Sequence, residues 1–129
     1  MIRDHVTAVL ALISADTNVT VYDGRVPNDP TLPYVVVRTD TGRRERSALP
    51  ASSDRLTLRI WATSVGLTRT SAQVVSERVI AALLDVRPTV SGRSCFPITS
   101  VNSQPARVDD VNTDLVYVLD EFELVSIPA

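Results

Sequence analysis

The chain has one histidine, His5, and one cysteine, Cys95, and they are its only candidates for catalysis of the Cys–His kind. A hydrolase of that kind needs a nucleophile, a base and a group that orients the base. His5 falls in the first turn of a predicted helix and Cys95 beside a predicted turn, so two unrelated structural residues explain them better than a catalytic pair does. A zinc site needs clustered cysteine and histidine, which the sequence lacks. Asp109, Asp110 and Asp114 could gather on a cation, but their spacing is not that of an EF-hand loop, and a solvated acidic loop is the simpler account. Gly24, Gly42, Gly66 and Gly92 stand singly at turns rather than in a phosphate-binding loop. Glu121 and Glu123 share one face of a predicted strand, with nothing in the sequence to enclose them. The reading is of a protein that is not an enzyme, takes no cofactor and no metal, and works through its surfaces.

Two features give those surfaces character. Trp61, the only tryptophan, falls on the polar-patterned face of its strand beside Arg59. A covering loop would make it core, whereas an exposed aromatic next to arginine is the composition of an interface hot spot. The second feature is an uneven distribution of charge. Residues 38–59 carry six arginines against three acids, while residues 108–129 carry six acids and no base. Solvated charges on separate edges are the plain account; complementary contact surfaces on neighbouring subunits are the sharper one. On that reading Arg43, Arg44, Arg46, Arg59 and Trp61 form one side of a subunit or tube interface, and Asp120, Glu121 and Glu123 the other.

The elements that must position these residues follow from hydrophobic period. Asp54 to Thr63 alternates strictly, with Leu56, Leu58, Ile60 and Ala62 on one face and Arg55, Thr57, Arg59 and Trp61 on the other, the mark of a half-buried strand. After Ser64-Val-Gly-Leu67 the period becomes helical through Ala72, Val75, Val79, Leu83 and Val86. Thr70 and Gln73 fit a capping box at its start, and Pro88 stops it. Residues 2–15 read as a first helix, Val19–Asp23 as a short strand, and Val26–Pro33 as an extended proline-rich link. Tyr34–Thr39 is the best central strand. Asp40–Ser53 has no apolar period and reads as a long mobile loop. Phe96–Val101 is a strand interrupted by Pro97, and Leu115–Ile127 is the longest strand, with Asp120 breaking its apolar face by a bulge or a paired carboxylate. The fold class is therefore α+β. It is a single domain over residues 1–129, with a mainly antiparallel sheet of about five strands and two helices on one face, in the order α-β-β-β-α-β-β.

Composition narrows the setting. A net charge of −2 and a pI of about 5.3 argue against a dedicated nucleic-acid binder, so any DNA contact is with DNA in passage. The sequence has no long apolar run for a membrane span and no clear signal peptide, and its lone cysteine suits a reducing compartment. All thirteen basic residues are arginine, which GC-rich coding explains more simply than selection for bidentate contacts.

Taken in order, the chain resembles the tail terminator (tail completion) proteins of long-tailed bacteriophages. The resemblance rests on the N-terminal helix, Val21-Tyr-Asp23, the proline-containing link to Pro33-Tyr-Val-Val36, and the long loop. It continues through the strand ending at Trp61-Ala62, the helix ending at Leu83-Leu84, and the final strand after a polar loop. Pro97 and the acidic C-terminal strand depart from the family pattern. The resemblance implies a structural virion protein, made in the host bacterial cytoplasm and located in the tail or neck. It implies a self-assembled, hexameric ring on the head-proximal end of the tail tube, touching the major tail tube protein and the head–tail connector. Two other readings stay open: another head–tail connector protein, and a ferredoxin-like small-molecule-binding or enzyme domain, to which fold alone is indifferent.

Overall fold

The computed structural model describes residues 2–16, 18–45, 54–108 and 114–129. Among them are two helices and eight strands in the order α1 (Ile2–Ser14), β1 (Thr20–Asp23), β2 (Tyr34–Thr39), β3 (Arg43–Glu45), β4 (Arg55–Gly66), α2 (Arg69–Leu83), β5 (Arg93–Cys95), β6 (Thr99–Ser103), β7 (Arg107–Val108) and β8 (Val116–Pro128). The centre of the sheet is the antiparallel pair β4–β8, in register from Leu56 opposite Ser126 to Gly66 opposite Val116. Strand β2 lies antiparallel on the far side of β4, and β1 lies beyond β2.

The alternation in β4 and β8 sorts their side chains onto two faces. Leu58, Ile60, Ala62, Phe122 and Leu124 join Val35 and Val37 on the inner face, and all are essentially buried. Both helices pack there, α1 through Val6, Val9 and Ile13 and α2 through Val75, Val79 and Leu83. Burying both stripes against one sheet face yields a single two-layer core. The helix cap is Thr68 rather than Thr70: its backbone is extended (φ −130°, ψ 162°) and its hydroxyl accepts a hydrogen bond from Ser71 N at 3.1 Å. Gly66 lets the chain turn so abruptly, since a Cβ there would lie 2.6 Å from Ser71 Oγ and 2.9 Å from Ala72 N.

The expected sheet needs two corrections. It has eight strands among the described residues rather than about five, because β3, β5 and β7 are only two or three residues long and too short to show a period. It is also mixed, since β1 pairs with β2 in parallel. The link from Gly24 to Pro33 is extended enough to carry the chain back to the level at which β1 began, so β2 runs in the same direction. Part of the expected long loop is ordered as well: Arg43–Glu45 pairs with β4, opposite Arg55–Thr57. Residues 46–53 lie outside the described residues.

Pro97 finds its explanation at the sheet edge. Strands β5, β6 and β7 succeed one another along the same side of β8, and the breaks between them contain Pro97 and Pro105. A register shift between Ser100 and Asn102 interrupts β6 further. Prolines and bulges on an edge strand discourage unwanted pairing with another sheet.

Candidate assembly surface

With both helices on the inner face, the outer face of the sheet is left to short connections. At one end the proline-rich link covers it. Val26 and Leu32 pack on Tyr34, Val36 and Val65, the Tyr22 and Tyr34 rings meet edge to face at 5.4 Å, and Tyr22 Oη accepts a hydrogen bond from Thr31 N at 3.0 Å. At the other end stands Trp61, half-buried and belonging to neither apolar cluster.

The strand register builds the surroundings of Trp61. One row runs Arg38, Trp61, Glu121, Asn102 across β2, β4, β8 and β6, and the Arg59–Glu123 pair adjoins it. Trp61 donates its indole N–H to Glu121 Oε1 at 3.0 Å. The Arg59 guanidinium donates to Glu121 Oε2 and to Glu123 Oε2, the latter at 3.2 Å. That bonding, to Glu121 above all, raises the pKa of Arg59 above its ordinary value. The four side chains are thus one fixed network, with the acids 20% and 29% exposed.

A shallow depression of about 260 Å³ lies beside the network, lined by Asp40, Arg43, Thr57, Arg59, Trp61 and Glu123. Asp40 holds its rim. One carboxylate oxygen accepts from Gly42 N at 3.0 Å and from Arg59 N at 3.1 Å, closing the turn that lays β3 on β4. Gly42 has φ +78°, and a Cβ there would meet Ile2 and Leu56 at 2.5 and 2.9 Å, so glycine is required. The depression is lined mostly by charged and polar side chains, with Arg59 and Glu123 already paired, which fits a contact surface better than an apolar ligand pocket with converging polar groups.

The residues singled out from the sequence separate into groups. Arg59, Trp61, Glu121 and Glu123 come together on the outer face, and Arg43, opposite Thr57, lines the depression next to them. Arg44, opposite Leu56, falls in the alternate position and pairs with Asp54 at 3.6 Å. Arg46, Asp109 and Asp110 lie outside the described residues. Asp120 departs from its grouping with Glu121 and Glu123, because alternation turns it to the inner face, where it is 1% exposed. The basic and acidic segments also meet within one chain, where β4 pairs with β8, so part of their complementarity is internal. Asp40 was not singled out, although Asp40-Thr-Gly42 is a recognisable turn signature.

His5 and Cys95 prove to be neighbours of one serine. His5 Nε2 hydrogen-bonds Ser126 Oγ at 2.8 Å, and Cys95 faces Ser126 across the β5–β8 pair. Arg93 donates to that same Oγ at 3.1 Å, to Ser126 O at 2.9 Å and to Asp54 O at 2.8 Å. His5 and Ser126 are fully buried and Cys95 is 6% exposed, which denies a substrate access. Burial pushes the Cys95 thiol pKa up, away from the nucleophilic thiolate. The group is a polar strut joining α1, β5 and β8.

A family model described as "Tail completion protein gp17" matches residues 4–119. No curated protein matches the chain. Among solved structures, a chain of the "Virion of native gene transfer agent (GTA) particle" is similar, with a TM-score of 0.62 at 15% identity, over 92% of this chain and 83% of that one. At that identity the likeness is one of fold.

Proposed function

This chain belongs to the tail completion protein gp17 family, structural proteins of the phage virion located in its tail or neck, and on that premise we propose that it closes the tail tube. In this reading, copies form a ring on the head-proximal end of the tube, stop its polymerisation, and offer the opposite surface to the head–tail connector. The ring has six members, as the family resemblance implies, and DNA passes through it without being held. The observation that carries the reading is the end of the outer sheet face that lies beyond the proline-rich link and opposite both helices. A tryptophan there is fixed by hydrogen bonding within a charged network on the two longest strands, a rigid aromatic anchor with a polar rim. A single chain with non-identical patches suits the head-to-tail contacts of a closed ring.

The test is a phage in which this gene is switched off. The expected outcome is full heads beside unjoined tails of abnormal length, with infectivity restored by the wild-type chain supplied in trans. Joined particles with tails of normal length would contradict the proposal.

A further inference from the structure

Buried charge in a folded protein is ordinarily matched by an opposite charge or a metal. Asp120 is an exception. Its oxygens accept hydrogen bonds from Ser76 Oγ and Ser103 Oγ, both at 2.6 Å, and among the described residues no arginine pairs with it. The two serines help line a cleft of about 300 Å³ between α2 and the bend joining β6 to β7, together with Gln73, Glu77, Gln104 and Pro105. Each hydroxyl has committed its proton to Asp120, so it can offer only lone pairs to the cleft. Glu77, exposed on the wall and without a partner among the described residues, adds a full negative charge. Acceptors backed by a buried carboxylate and rimmed by a second one suit a cation with several donors, which describes a guanidinium.

The sheet indicates where such a group would come from. By register one row runs Asp23, Val37, Ala62, Asp120, Ser103 from the β1 edge to the β6 edge. The cleft therefore lies at one end of that row. Arg25, two residues past Asp23, lies near the other end, exposed and without an ion pair among the described residues. A neighbour seated head to tail with its β1 edge against this β6 edge would bring its Arg25 to the cleft. We propose that Arg25 of a neighbouring copy enters the α2–β6 cleft and pairs with Glu77 above the Ser76–Asp120–Ser103 floor. The proposal rests on the head-to-tail ring of the preceding section and names one of its contacts.

A charge swap tests it. Arg25→Glu, Glu77→Arg and the double variant are compared with wild type for ring formation on tail tubes, with melting curves confirming the fold. Each single change should reduce rings about tenfold or more, and the double variant, in which the Arg25–Glu77 pair is reversed while the acceptor floor is not, should restore them in part. As a second readout, Arg25→Cys with Gln73→Cys should cross-link adjacent copies under oxidation. Singles that form rings like wild type, or a double as defective as the worse single together with no cross-link, would overturn the contact while leaving the ring standing. Wild-type chain that forms no ring on tubes would overturn the ring itself, and the contact with it.

Discussion

Trp61 and Glu121, directly opposite each other on β4 and β8, are joined by a hydrogen bond from the indole N–H to the carboxylate at 3.0 Å. The bond orients the ring on the face opposite α1 and α2 and ties it to Arg59 through the same carboxylate. Removing the ring should therefore disturb assembly more than folding. Trp61→Ala loses the indole hydrogen bond and the packing of a half-buried ring, so it is expected to melt somewhat below wild type, well above a core truncation, yet to cap tubes poorly. Trp61→Phe keeps the ring and loses one hydrogen bond, at about 0.5–1.5 kcal/mol of stability, and should retain most of the capping. A thermal melt beside an assembly assay checks both.

Leu58 provides the contrast. It lies on the opposite face of the same strand, fully buried in the core. Leu58→Ala should cost about 2–5 kcal/mol in denaturant unfolding, through lost burial and the cavity left behind.

Ser76 should matter to folding out of proportion to its size. Ser76→Ala removes one of two donors to a buried carboxylate, with an expected loss of about 1–3 kcal/mol, whereas Ser100→Ala on exposed β6 should be nearly neutral. Urea titrations of the two variants make the comparison.

Asp16 and Arg78 tie the end of α1 to α2 at 2.9 Å. Hydrogen bonding from Arg78, helped by Asn18 N, holds the Asp16 pKa below its ordinary 3.8. A depressed carboxyl pKa contributes stability that is present above the unfolded value and lost as pH falls through the folded one. Melting temperatures measured across the acid range should accordingly fall more steeply for wild type than for Arg78→Ala. The difference should be small, because the pair is exposed.

Much of this was legible in the residues, and the remainder has physical reasons. Period two in Leu56–Ala62 and the helical step of Val75–Val79–Leu83 report burial directly, so β4, α2 and the side on which Trp61 falls could be read. Strand direction leaves no such trace: Thr20–Asp23 looks the same whether it pairs parallel or antiparallel. The cap was misplaced because Thr70 and Gln73 match the local pattern, while the deciding feature is the room Gly66 leaves for Ser71. Asp120 was visible as an anomaly. Its partners on α2 and β6, however, are set by tertiary packing, and so was the cleft above them. Arg59 and Glu123 sit in segments of opposite charge, and only the register shows that they satisfy each other within one chain.

The central claim is that this chain ends tube growth through the face that bears Trp61, and tube length tests it most directly. Purified tail tube protein would be polymerised with increasing amounts of the labelled chain, and lengths and label positions read by electron microscopy. The account predicts tubes that shorten with dose and carry the label at one end only, with Trp61→Ala leaving lengths unchanged. Tubes of undiminished length in the presence of excess wild-type chain, with no label at their ends, would contradict it.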